Sequence, residues 1–403
     1  MTSFARSLCV VGCWSVVATM LPAQPAVIGR VIHDRNGNGR ADPGEPGVAN
    51  VVASNQVDVV RTDATGAFRF DAAPTGLVYI TVPDDRRATS RFWQPVAPSA
   101  APLVFLLAPA PRARTFTFVH GSDPHVADAS LPRLQRAREL IDSIAPAFAL
   151  LTGDLVRDAL RVTEQEARGY YDLFAREAER FRTPLFTVPG NHELFGLERL
   201  ASGVPAEHPL HNRGMYRRYR GPDYYSFDVG GLHVIALNTI DVYDDTWYHG
   251  QVDSVQLAWL ARDLAMVPAN RPVVTFNHIP LYSAMESIGG FTERPPAPSV
   301  IPLGSRKVYR HTVANASAVL AILRTRRLVL ALGGHIHARE RLQYDLDGRA
   351  VRFEQAAAIV GPSDAGGMDF RSGLTVYRVR DGVIDAGRFL PLDPPRTTPS
   401  APR

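Results

Sequence analysis

The chain has 403 residues, of which 45% are apolar and 21% charged. That balance excludes a wholly disordered chain, and the length exceeds what one ordinary core organises, so a large domain and a small one are expected. The formal net charge is only +4, with Lys307 the lone lysine among 44 basic side chains, and this argues against nucleic acid or an anionic membrane as partner.

The first 24 residues read as a signal peptide. Arg6 supplies the positive start, residues 7–21 an apolar core too short to span a bilayer, and the small residues around Ala23 a cleavage site. A secreted or periplasmic location is expected. Lipidation at Cys13 is the lesser alternative, because the apolar run continues past it. Cys9 and Cys13 are the two cysteines of the chain, so a mature protein would have neither disulfides nor thiol chemistry. No later apolar run is long enough for a transmembrane helix.

Residues 25–108 read as a small all-β sandwich domain, with strands over 27–32, 48–53, 67–70 and 77–82 and a last strand between two Ala/Pro-rich stretches. Within it Asp34, Asn36, Asn38, Asp42 and Glu45 have the spacing of a calcium loop, with Gly39 at the sharp turn. Strand-like runs flank the loop, so it is not an EF-hand. Bound Ca²⁺ is expected there; the alternative is an Asn/Gly-rich turn without an ion. The domain resembles the β-sandwich modules of bacterial surface proteins.

Residues 115–390 change to strands alternating with helices. Strands are expected over 115–120, 148–152, 185–188, 273–276 and 328–332, a hairpin over 225–239, and helices over 131–144, 164–181, 255–266 and 314–323. Hairpins follow around Asp347-Gly348 and Asp381-Gly382. The tail 391–403, rich in Pro, Thr and Ser, is expected to be disordered.

Apart from the hairpin, each apolar strand from 115 to 332 ends in a turn carrying Asp, Asn or His. Such turns converge on one rim in alternating α/β folds. The groups are Asp123, His125, Asp154, Asn191, His192, His278, His335 and His337. Imidazole and carboxylate together suit Zn, Fe or Mn. Without His192 the donors number seven, more than one ion needs, which points to two ions sharing a bridging carboxylate, as used for displacement at phosphorus.

The five blocks D-x-H, G-D, G-N-H-E, H and G-H-x-H, in this order, resemble the calcineurin-like metallophosphoesterase superfamily, here a bacterial secreted member. The resemblance covers 115–390 and implies an α+β fold, a four-layer α/β/β/α sandwich whose second sheet the late hairpins complete. It implies one metal on Asp123, His125, Asp154 and His337, and a second on Asp154, Asn191, His278 and His335. It also implies a metal-bridging hydroxide as nucleophile, Asp154 and His192 as the catalytic residues, and His192 as the group at the leaving oxygen.

Arg157 stands where some members carry a carboxylate that orients the catalytic histidine. Either Asp158 takes that part or nothing does, and Arg157 itself either contacts phosphate or, the reading preferred, faces solvent. Purple acid phosphatases place a tyrosine ligand at the same position, so a nearly colourless enzyme is expected. The substrate is expected to be a small phosphate ester, with a nucleotide or sugar phosphate open. The arginines of 194–225 (Arg213, Arg217, Arg218, Arg220) and of 282–311, a candidate flap (Arg294, Arg306, Arg310, with Lys307), offer forked hydrogen bonds to phosphate, but each taken singly reads first as part of a solvated loop. Monoester and diester hydrolysis are both open. The competing hypothesis is a surface-associated binding protein with a vestigial site.

Overall fold

The computed structural model describes residues 26–96, 101–243, 247–290, 293, 298–365 and 368–393. The leader with both cysteines, Arg294, and the tail beyond 393 lie outside them.

The N-terminal region is two four-stranded sheets face to face. One runs Ala67–Phe70, Val27–His33, Leu103–Pro109, Arg86–Ala88; the other Val59–Arg61, Val52–Ser54, Leu77–Thr81, Trp93–Pro95. Val31, Phe68, Phe105, Val78 and Ile80 fill the space between them. The strand expected over 48–53 is shorter and later, Val52–Ser54, because Val48 bonds to Val31 instead and Asn50 turns the chain with φ 62°. Strand Leu77–Thr81 is buried at every position. Its alternation sends Val78 and Ile80 into the sandwich and Leu77 and Tyr79 into the core of the larger region.

The larger region has two six-stranded sheets. The first runs Leu185–Val188, Phe148–Thr152, Thr115–Gly121, Gly373–Arg380, Val383–Ile384, with Arg388–Pro391 also on Gly373–Arg380. The second runs Tyr225–Val229, Leu232–Ala236, Pro272–Phe276, Arg327–Gly333, Arg349–Gln355, Glu340–Leu346. Phe118, Phe148, Phe227, Phe353 and Tyr377 pack between them. Helices Leu131–Ile144 and Glu164–Ala178 cover the outer face of the first sheet through Leu134, Ile141, Tyr171 and Phe174. Helices Ser254–Ala265 and Ala316–Leu323 pack on the second through Trp259, Leu260, Val319 and Leu323. Thr163 and Asp253 cap two of these helices by accepting the N–H of Glu166 and of Gln256.

This is the expected four-layer arrangement, with one correction. The late hairpins do not both join the second sheet. Glu340–Leu346 with Arg349–Gln355 does, whereas Gly373–Arg380 crosses over to pair antiparallel with Thr115–Gly121 in the first. Gly373–Arg380 puts Leu374 and Val376 on one face and Tyr377 and Val379 on the other, so its alternation could not say which sheet it would enter.

Candidate metal centre

The strands Thr115–Gly121, Phe148–Thr152 and Leu185–Val188 are parallel, as are Leu232–Ala236, Pro272–Phe276 and Arg327–Gly333, so their carboxyl ends point the same way within each sheet. The five turns meet at that rim. Glycine makes the approach possible at two places. A Cβ on Gly190 would lie 2.1 Å from Asp154 Oδ1, and one on Gly334 would lie 1.9 Å from Ser122 Oγ. The polar residues carry the strain: Asp123, His125, Asp154, His335 and His337 all have φ between 41° and 70°. Such conformations cost non-glycine residues roughly 1–3 kcal/mol each. The fold holds them there through main-chain bonds, His125 N to Asp154 O at 2.9 Å and Asp123 N to Gly153 O at 3.1 Å among them.

The side chains form two adjoining groups. In the first, His337 Nε2 is 3.2 Å from Asp123 Oδ1 and from His125 Nε2, and His125 Nε2 is 3.6 Å from Asp154 Oδ2. In the second, His278 Nε2 is 3.2 Å from both Asp154 Oδ1 and Asn191 Oδ1, with His335 Nδ1 at 3.1 Å. All seven expected donors are together, and Asp154 offers one oxygen to each group. Among the described residues, every group of three or more acidic and histidine donors whose ligand atoms could close on one ion lies at this rim.

These residues fit two bound ions. Asp123 Oδ1 is buried and accepts no hydrogen bond, an expensive state unless a cation completes it. Burial holds the His125 ring down at a pKa of about 4, so it is a neutral donor. Burial alone would lower His278 too, but the charge of Asp154 outweighs it and raises His278 to about 9. Asp154 itself lies well below the usual carboxylate range: burial opposes this, and the charges of His278 and His192 override it.

Supporting contacts fix the rings. His278 Nδ1 donates to Thr152 O at 2.7 Å. His335 turns Nδ1 to the rim, and its Nε2 lies 2.6 Å from His311 Nδ1. Fixing the second nitrogen of a ligand histidine sets its tautomer and orientation. Nothing in the local sequence singles out His311 for this. Buried Glu193 accepts the N–H groups of Val156 and Gly190, and burial with the nearby Asp154 charge raises its pKa to about 8.

His192 stands beside the two groups. Its N–H donates to Asp154 Oδ1 at 2.9 Å, and its ring lies edge-on to His125 at 4.6 Å. Its Nδ1 is 2.7 Å from the main-chain oxygen of Arg157. A carbonyl only accepts, so Nδ1 carries the proton and Nε2 faces the rim. Asp158 does not orient the ring; it turns away to accept from Leu160 N and Arg161. Arg157 faces solvent as expected. The orienting group is a backbone oxygen, which residue identity does not reveal.

Three of the four arginines named in the 194–225 segment are spent elsewhere, and the fourth, Arg218, is exposed. Arg217 pairs with buried Asp223, Arg213 with Asp253, and Arg220 lies over Phe174. In the calcium-like loop, Asp34 accepts the N–H groups of Gly37, Asn38 and Gly39, and Asn36 and Asn38 donate to Asp42. Glu45 accepts from Arg35 N and Asp42 N.

Residues 116–339 match the family model of the calcineurin-like phosphoesterases. The chain belongs to that family. Similar proteins include purple acid phosphatase 23 of Arabidopsis thaliana, 27% identical over 175 residues, covering 41% of this chain and 32% of the relative. The serine/threonine-protein phosphatase CPPED1 of Bos taurus is 27% identical over 43% of this chain and 58% of its own. The 3',5'-cyclic adenosine monophosphate phosphodiesterase CpdA of Escherichia coli is 26% identical over 50% of this chain and 57% of its own. The chain thus spans less than three-fifths of each of these relatives. A dimetal phosphatase structure from Danio rerio aligns with 68% of this chain and 96% of its own at 16% identity and a TM-score of 0.45.

Proposed function

We propose that this member of the family hydrolyses small phosphate esters with two divalent metal ions. The observation that carries the proposal is Asp154, whose Oδ1 is 3.2 Å from His278 and whose Oδ2 is 3.6 Å from His125, so that one carboxylate belongs to both donor groups. Asp123, His125, Asp154 and His337 would hold one ion, and Asp154, Asn191, His278 and His335 the other. The N/O donor set suits Mn, Fe or Zn. Such ions, when bound, neutralise phosphoryl charge and bring a water's pKa near neutrality.

The chain's own residues supply the remainder. Asp154 positions His192 by accepting its main-chain N–H. With Nδ1 tied to the Arg157 carbonyl, His192 Nε2 is the atom that holds or releases a proton, and it delivers that proton to the leaving oxygen. The relatives' printed activities include a phosphatase and a cyclic-nucleotide phosphodiesterase, so a monoester and a diester are both tested. Purified protein loaded with Mn²⁺ is assayed on p-nitrophenyl phosphate and on bis-p-nitrophenyl phosphate. Turnover of either is expected; no turnover of both, with two metals per chain shown analytically, overturns the proposal.

Export to the periplasm or beyond belongs to the same proposal, supported by the leader-like residues 1–24. So does Ca²⁺ in the loop of Asp34, Asn36, Asn38, Asp42 and Glu45, supported by its donor spacing. Calorimetry with Ca²⁺ should show binding and a higher melting temperature, both lost in Asp42→Ala. A flat titration of the unaltered protein refutes it.

A further inference from the structure

Two inserted hairpins stand over the second donor group. One pairs Ile240–Tyr243 with Trp247–Gly250; the other pairs Val300–Leu303 with Arg306–Tyr309. Arg310 follows the second hairpin and is fixed by its N–H to Ser299 O at 2.8 Å. Its side chain is unusual. The residue is 5% exposed, yet Nε and Nη1 have no hydrogen-bond partner among the described residues. No carboxylate among the described residues lies within ion-pair distance of it, in contrast to Lys307 nearby, whose Nζ is 2.7 Å from Glu293. The guanidinium carbon lies over the Tyr248 ring, 4.2 Å from its centroid, with the Trp247 centroid at 5.5 Å.

That stack leads to the metal centre. The Tyr248 ring is edge-on to His335 at 6.0 Å, and His311, the residue after Arg310, is stacked on His335 at 4.9 Å. A buried guanidinium whose Nε and Nη1 have no partner among the described residues calls for an anion, because burial of unmatched donors is costly and a π face satisfies charge but not those two donors. Its planar fork fits the paired oxygens of a phosphate.

Resting on the phosphohydrolase proposal, we infer that Arg310 is a specificity-determining residue that binds a phosphate group of the substrate beside the second metal set, with Tyr248 packed against the guanidinium. The phosphate has two sources: the scissile phosphoryl group, or a second phosphate on the leaving group.

The experiment compares the metal-loaded protein with Arg310→Met, which keeps the aliphatic stem, and Arg310→Lys, which keeps the charge without the fork. KM and kcat are measured on p-nitrophenyl phosphate and on adenosine 3',5'-bisphosphate, with metal content and melting temperature alongside. Arg310→Met should raise KM about 10- to 100-fold while kcat changes less than about threefold and metal content stays, with partial recovery in Arg310→Lys. A rise on both substrates assigns the scissile group; a rise on the bisphosphate alone assigns the second phosphate. Unchanged KM on both overturns the inference, as does loss of metal, which would make Arg310 only a support for His311. Inorganic phosphate binding by calorimetry separates this from the parent proposal. If neither ester turns over but phosphate binds the unaltered protein at least tenfold more tightly than Arg310→Met, Arg310 stands and hydrolysis falls; equal binding sinks the anion site.

Discussion

The rim of the five turns and the seam between the two regions use the same residue types in opposite ways. At the seam, each buried carboxylate is matched. Asp223 accepts from Arg217, Asn238 and Gln56; Asp228 and Asp263 grip His233 from both sides at 2.7 and 2.8 Å; Asp84 accepts from Arg112 and Gly231. At the rim, Asp123 Oδ1 accepts no hydrogen bond and five donor residues keep strained backbones. Matched polar groups hold the regions together, whereas unmatched ones await a ligand. Rim substitutions should therefore change activity and spare stability, and seam substitutions the reverse.

The largest effect should come from Asp154→Asn. Both metals should be lost by elemental analysis, with kcat/KM down on the order of 10³-fold or more, while the metal-free melting temperature stays or rises. Retention of one full metal set would break the shared-carboxylate assignment. Next, His192→Ala should lower kcat about 10²- to 10⁴-fold, the usual worth of a general acid or base, with two metals still bound; metal loss would make His192 a ligand instead. His311→Ala is a smaller perturbation. It should weaken one of the two Mn²⁺ sites about 10- to 100-fold in titrations and leave the other, so equal weakening of both would misplace its role.

The seam offers the smallest change in activity and a distinct pH signature. Burial opposes protonation of His233, but the charges of Asp263 and Asp228 prevail and raise its pKa to about 9. Because the folded pKa lies above the unfolded one, the stabilisation is complete below about pH 6.5 and is lost as pH rises through about 9. Its size is on the order of 3 kcal/mol. Melting temperature should fall over that window in the unaltered protein and much less in His233→Gln, with kcat unchanged. Parallel pH profiles of the two proteins would remove His233 from the account.

Much of the rim was legible because its donors sit at strand ends, and strands of four or five apolar residues announce their ends through Gly, Asp and His. Residues 148–152 and 185–188 needed no correction at all. What escaped was tertiary. The Arg157 carbonyl has no signature in residue type, and the contact of His311 with His335 joins segments 24 positions apart through an inserted hairpin. The pairing of Arg217 and Arg213 was hidden for a related reason: their partners Asp223 and Asp253 lie outside any helical or strand period that links them.

Strand Leu77–Thr81, with one set of alternate side chains in each core, has a consequence for how this protein can be divided. A fragment begun near residue 110 would inherit a bare apolar patch where Leu77, Tyr79 and Trp93 had been, and Trp259 would lose its bond to the Tyr79 hydroxyl, 3.0 Å away. The N-terminal module is thus not a detachable spacer. It is a wall of the enzyme's own interior, and recombination that swapped it for another module would have to bring a replacement for that shared strand.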